Sequence, residues 1–294
     1  MFKPILKKIE NFTVIKETDN TFVYIIKSLI IRSDEHNVTQ TAGQLAYFAF
    51  LSLFPFIIFI NSILSALKLS GNVVADVLSE IFPEEISQLI GMYIEYINSL
   101  GSGVGVISIG IVVALFSASK YLRSLSIGIN LAYGITDKKY FIKRILSSVF
   151  LTLVLGVVIV LSLLAVAVGR EWIYRIIILI DMPISWLGMI SAGKWLLIFF
   201  AYLVIILLIY YVIPLKKMKL KNIIPGAICT VAANFLLTYG YSLYISYFDN
   251  FSILYGSVGA VLLLVLWLYF IGLFMIMGAE LNSAIEEKGN LIKK

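Results

Sequence analysis

The chain is a succession of long apolar stretches separated by short polar and charged ones. Six of them reach or approach the roughly 20 residues that a helix needs to cross a hydrocarbon layer. They run over Ala42–Leu67, Val104–Ser119, Ile142–Val168, Trp186–Ile213, Ile223–Tyr247 and Ser257–Glu280. The second is interrupted early by Lys120 and Arg123, but Leu122, Leu125 and Ile129 continue its helical period and predict an extension to about Tyr133. Shorter patterns predict further helices outside the hydrocarbon. Phe22, Ile25, Ile26, Leu29 and Ile30 form an apolar face behind Thr18 and Asp19, residue types that cap helix N-termini. Val73 to Phe82 and Ile86 to Ile97, on either side of Pro83, repeat at helical spacing and predict two amphipathic helices. The expected fold is an all-α integral membrane protein, a bundle of about six transmembrane helices with additional amphipathic interfacial helices. Residues 1–41 form an N-terminal segment carrying one such helix, residues 42–282 the transmembrane domain with a helical loop at 69–103, and residues 283–294 a tail.

Composition excludes a soluble domain. The chain is 61% hydrophobic and 14% charged, against roughly 45–50% and about 25% in ordinary globular proteins. The placement of charge then sets an orientation. Of the 23 Lys and Arg residues, 19 lie in the N-terminal segment, the second and fourth loops and the tail; the other side keeps Lys68, Arg170, Arg175 and Lys194. Positive loops resist translocation, so both termini are expected in the cytoplasm. The loop with Asp76, Glu80, Glu84, Glu85 and Glu95 is then expected outside, as an acidic cover over the bundle. Lys27, Arg32 and the basic loops are expected to meet anionic lipid headgroups. No cleavable secretory signal is expected, because the first long apolar run begins only near Ala42. The lone cysteine, Cys229, allows neither an intramolecular disulfide nor a thiolate metal cluster and is expected to be a packing residue.

Candidate chemistry lies on polar helix faces, because polar groups in hydrocarbon need a protein or water partner. In the first span Gln44, Tyr47, Ser52 and Pro55 follow one side, with Asn61 further along. In the fifth, Asn234, Thr238 and Tyr241 share a face. Both faces are expected to turn inward, either as interhelical hydrogen bonds or as the lining of a path. Tyr255, Gly256, Ser257 and Gly259 suggest a re-entrant turn before the last span. Glu280, after Gly278 and Ala279, is the one carboxylate at the helical core; it is a functional candidate, with pairing to a basic loop as the alternative. No residue set calls for a cofactor, a metal or catalysis. The only histidine, His36, sits between polar neighbours and reads as a solvated side chain.

Phe251-Ser252-Ile253-Leu254-Tyr255-Gly256-Ser257-Val258-Gly259-Ala260, continuing through Trp267-Leu268-Tyr269 to Gly278-Ala279-Glu280-Leu281-Asn282, closely resembles the signature of the YihY/virulence factor BrkB family. Ala46-Tyr47, Leu51-Ser52-Leu53-Phe54-Pro55, Asn130, Tyr211-Val212-Ile213-Pro214 and Pro225-Gly226-Ala227 agree with it. Tyr133 and Lys138-Lys139 depart from it, standing where members often have a tryptophan and an Arg-Pro pair. The resemblance implies a bacterial cytoplasmic-membrane protein with six helices. Its relatives carry labels that range from serum resistance and envelope-lipid export to ribonuclease BN.

The polar faces favour a transporter, exporter or flippase-like protein for a lipidic or amphiphilic envelope substrate. A non-transporting scaffold for envelope partners is the alternative. Specific nucleic-acid binding is not expected, since basic loops attract RNA without cleaving it. No oligomeric state follows from the pattern.

Overall fold

The computed structural model describes residues 20–66, 84–100, 104–135, 186–216, 218–247 and 251–291. They form seven helices and no strand: α1 (Thr21–Glu35), α2 (Val38–Ala66), α3 (Glu84–Leu100), α4 (Val104–Ala132), α5 (Trp186–Val212), α6 (Leu220–Tyr247) and α7 (Phe251–Leu291). Stretches of α2, α6 and α7 are long and apolar enough to cross a bilayer, and Ile198–Val212 of α5 is a shorter apolar stretch. The chain is thus an all-helical membrane protein. The expected span at Ile142–Val168, the amphipathic segment at 73–82 and the capping residues Thr18 and Asp19 lie outside the described residues.

The other expected helices are present. The extension expected beyond Lys120 and Arg123 is there, because α4 is one continuous helix to Ala132. It closes in a left-handed turn at Gly134 (φ 71°), where Gly134 N donates to Leu131 O and Ile135 N to Asn130 O. This pairing satisfies the last carbonyls of the helix. Two expectations differ. First, the re-entrant turn expected at Tyr255, Gly256, Ser257 and Gly259 is helical. These residues belong to the first turns of α7, where no proline interrupts the ladder. Second, α1 begins behind Asn20, which makes no side-chain capping bond.

At 41 residues α7 is about 60 Å long at 1.5 Å per residue, twice a hydrocarbon core of about 30 Å. It therefore runs well beyond Glu280. It packs against α1, α2, α3, α4 and α6 and forms the axis of the described bundle. The core beneath it includes Leu45, Leu125, Ile129, Ile206, Tyr210, Ile223 and Ile276. The amphipathic helix α3 buries Ile90 and Ile94 and stacks Tyr93 edge-on to Phe54 of α2, with ring centres 5.0 Å apart.

Helices α6 and α7 cross with their backbones in contact. A Cβ on Gly226 would lie 2.1 Å from Gly278 O, and a Cβ on Gly278 would lie 2.0 Å from Thr230 Oγ1 and 2.3 Å from the Tyr210 hydroxyl. The closeness lets short polar side chains reach backbone across helices, as small residues do in membrane bundles. Tyr210 of α5 donates to Met275 O (2.6 Å) and lies 2.8 Å from Thr230 Oγ1, which itself donates to Phe274 O at 3.2 Å. Gly226→Ala and Gly278→Ala should each cost about 1–3 kcal/mol or more, because the added Cβ meets backbone at Gly226 and hydrogen-bonded Thr230 and Tyr210 at Gly278. Gly240→Ala, where a Cβ would meet open space, should be neutral. Thermal unfolding of the three variants in detergent checks the ranking.

Candidate functional site

The polar positions of the bundle fall into three places. On the outward side of α2, Gln44 and Tyr47 are exposed, Tyr47 by 58%. Gln44 Oε1 accepts from Ser124 of α4 at 3.1 Å. Ser52 donates to its own helix at Ala49 O, and Pro55 lies within α2. Asn61 is also in α2, with its side chain outside the described residues. The inward face of α2 is made instead by Ala42, Leu45 and Ala46, so the expected inward turn of Gln44 and Tyr47 is corrected. Small and branched residues permit the approach of α7, where a Cβ on Gly272 would be 3.0 Å from Leu45 Cβ.

Between α5 and α6, Asn234 Nδ2 donates to the Tyr202 hydroxyl at 2.9 Å, and Thr238 donates to Asn234 O. Asn234 and Tyr241 are buried, and Asn234 Oδ1 accepts no hydrogen bond among the described residues. The two polar faces are not brought together: α7 packs against both α2 and α6. Cys229, expected in packing, is exposed on α6.

The third place is the end of the bundle that carries α1. Glu280, fully buried, faces two cationic-type side chains of α1. Its Oε1 lies 2.5 Å from His36 Nδ1 and its Oε2 3.5 Å from Arg32 Nη1. Arg32 also donates to Ala132 O (3.2 Å), Ser283 Oγ (3.1 Å) and Glu287. One guanidinium thus ties α1 to the C-terminal carbonyls of α4, where a cation is favoured, and to two turns of α7. The local fold explains the placement of His36. Asn37 takes a left-handed conformation (φ 52°) that asparagine tolerates better than most residues, ending α1 and starting α2 with His36 at the bend.

These contacts correct one expectation. His36 is a hydrogen-bond partner of the buried acid and not a solvated side chain. Arg32 faces α7, and Lys27 is buried. Phe22, Val23 and Ile30 do remain exposed on α1. The available signal was the four-residue spacing of Arg32 and His36 on one helix face, matched on α7 by Glu280, Ser283 and Glu287.

A cavity of about 570 Å³ opens beside the cluster. Arg32, His36, Tyr133, Lys216, Ser283 and Glu286 are among its lining, and Lys216 lies 3.7 Å from Glu286. None of the polar positions expected in the first and fifth spans lines it. Burial pushes the Tyr133 hydroxyl up to about 12, so it stays protonated at ordinary pH. Burial, then the Glu287 charge, raises Tyr24 as well. Among the described residues no group of three or more His, Cys, Asp or Glu is placed to hold a metal ion.

Two asparagines hold the chain around the cluster. Asn130 accepts from Leu215 N at 2.9 Å and donates to Ser126 O (2.7 Å) and Ile213 O (3.4 Å), fixing the segment after α5. Asn282 accepts from Gly226 N at 2.7 Å and donates to Ile223 O at 3.2 Å. Both bonded groups flank Pro225 within α6.

A helical membrane protein whose longest described helix carries a buried acid held by the helix that precedes the first span is the class these observations define. The chain belongs to the virulence factor BrkB family, whose pattern matches residues 29–293. It is 30% identical over 266 residues to YfkH of Bacillus subtilis strain 168, a protein described as ribonuclease-like, covering 90% of this chain and 96% of that one. It is 27% identical over 272 residues to the UPF0761 membrane protein NTHI0384 of Haemophilus influenzae, with 90% and 95% covered. It is 23% identical over 270 residues to a UPF0761 membrane protein of Pseudoalteromonas atlantica, with 89% and 85% covered. No solved structure matches.

Asn282→Leu should lower stability by about 1–3 kcal/mol, because it leaves a buried donor and a buried acceptor unpaired. Asn234→Leu, whose amide oxygen has no partner to lose, should cost less than Asn282→Leu. Parallel thermal melts of the two variants decide this.

Proposed function

We propose that the protein moves a lipidic or amphiphilic envelope substrate across a bacterial cytoplasmic membrane, with α1 and both termini on the cytoplasmic side. The observation that carries the reading is Asn234: a buried amide oxygen without a partner, between α5 and α6 in a membrane bundle. Such a group is costly in hydrocarbon and is retained where a polar substrate group or water meets it in turn. Its neighbours Tyr202 and Phe235 supply aromatic surface against which an acyl chain packs. The orientation rests on the lysine and arginine asymmetry of the loops.

The outward Gln44 and Tyr47 favour a second reading, a non-transporting scaffold, since polar groups on the outside of a bundle fit a protein partner better than acyl chains. The ribonuclease-like description of YfkH suggests a third. His36 beside Glu280 resembles a carboxylate-oriented base. However, Glu35, Glu286 and Glu287 outnumber Arg32 and Lys216 in the cavity lining, and this surplus disfavours a polyanion there. Enzymatic activity is therefore not part of the proposal.

Reconstitution into liposomes with fluorescent lipids and small labelled amphiphiles tests the first reading. Wild type should move at least one of them, and Asn234→Leu should slow it by about tenfold at unchanged abundance, the equivalent of about 1.4 kcal/mol in the barrier. Absence of movement under every imposed gradient, with Gln44→Leu losing stable partner complexes in cells, would support the scaffold instead. Metal-dependent RNA cleavage by pure protein that disappears in His36→Ala would establish the nuclease.

A further inference from the structure

The contacts of Glu280 have a charge balance that no transport reading requires. Four ionisable side chains meet where α1 docks on α7: Arg32 and His36 from α1, Glu280 and Glu287 from α7. With the imidazole neutral, one guanidinium faces two carboxylates and the set carries one surplus negative charge. One added proton on the imidazole brings it to zero. Glu287 is half exposed and screened by water, whereas Glu280 is fully buried with Arg32 and His36 as its charged partners, so a proton on the ring acts on a carboxylate that solvent does not reach.

We propose that this cluster is a proton-binding site: one proton, taken up by His36 from the compartment onto which the cavity opens, completes the balance that holds α1 against α7. The imidazole is the side chain whose ordinary titration falls in the physiological range. His36 lines the cavity and is itself 19% exposed, whereas Glu280 is not exposed at all, so the proton route to the carboxylate runs through the ring. The proton adds to the ring nitrogen that does not face Glu280, and Nδ1–H then donates to a carboxylate as a charged donor, a stronger bond than the neutral one.

Other ionisable groups border the set. Lys216 is paired with Glu286, Glu35 is exposed, and Tyr133 and Tyr24 stay neutral. Lys288, 4.7 Å from the Tyr24 ring centre, and Lys27 are buried basic side chains with contacts of their own.

Elsewhere on α1, Tyr24, Lys27 and Ser28 are buried and Ile25, Ile26, Leu29 and Ile31 half-buried, while Phe22, Val23 and Ile30 are exposed. The Arg32 and His36 end supplies the charged part of its hold, and the bend at Asn37 is the hinge about which it can leave. By linkage, a proton bound more tightly when α1 is docked stabilises docking at low pH, and that stabilisation is lost as pH rises through the imidazole titration. The released helix offers its apolar side to the membrane surface.

Electron paramagnetic resonance distance measurements test the proposal on the full chain in liposomes. Cys229 is replaced by Ser, and spin labels go on Val23→Cys of α1 and Ile127→Cys of α4, both exposed. The labelled protein should give one narrow distance at about pH 6, with an about tenfold fall in the docked-to-released ratio at about pH 8.5. His36→Gln, which keeps a donor but never the charge, should give the broad distribution at both pH values. Adding Glu287→Gln removes the surplus charge and should restore the narrow distance at both. A distribution that is the same at the two pH values in the parent, a pH response that survives His36→Gln, or a double variant that stays broad would each overturn the assignment. The readout is a distance, so the result stands whether or not the protein transports anything.

Discussion

The rest of the described structure depends on the crossing of α6 and α7 at Gly226 and Gly278. In a bilayer the hydrophobic effect does not drive helices together, and association rests on close packing and on polar groups that find partners. Two glycines remove the side chains that would hold the backbones apart. Only then can Tyr210, Thr230 and Asn282 bond to main-chain atoms of a neighbouring helix. The same contact fixes the height of Glu280, two residues beyond Gly278, and with it the level at which α1 docks.

That axis also explains why the polar side chains are grouped as they are. Asn130 and Asn282 each bind backbone on another element, one fixing the segment after α5 and the other the start of α6. Both lie near the end of the bundle where α1 sits, where the long α7 extends past the length a bilayer requires. That end is therefore ordered by hydrogen bonds and charge. Further along α2 and α3, contacts are made by apolar and aromatic side chains such as Phe54, Tyr93 and Ile94.

The sequence made the helices legible and left their partners hidden, for a physical reason. A run of about 20 apolar residues and the spacing of charges are local signals, and α2, α4, α5 and α6 follow them closely, whereas α7 outruns its apolar stretch at both ends. The continuous helix at Tyr255 to Gly259 was missed because glycine permits a turn without requiring one. Side-chain partnerships are not local: Arg32 and Glu280 are 248 positions apart. Gln44 and Tyr47 were misplaced because polarity was taken to mark the inside of the bundle. Here small residues mark it, since Ala42, Ala46, Gly128 and Gly272 are where helices come closest or are buried. Glu280 was legible as a buried acid, yet its partner His36 was not, because polar neighbours in sequence say nothing of what a bend at Asn37 brings near.

A buried carboxylate held by a short helix is a costly way to fasten one element to another. Isolating a charge from water costs several kcal/mol, and a well-packed apolar contact often stabilises as much or more. The arrangement gains something else, a dependence of the contact on the state of its members. An apolar α1 face would dock at every pH and in every compartment, whereas a docking face built from Arg32, His36, Glu280 and Glu287 has a strength set by proton occupancy. Its apolar alternative is present on the same helix, in Phe22, Val23 and Ile30, and points away from the bundle. Helix α1 therefore carries two competing surfaces, one charged and turned to α7, one apolar and free for lipid. The charge balance beneath Arg32 decides between them.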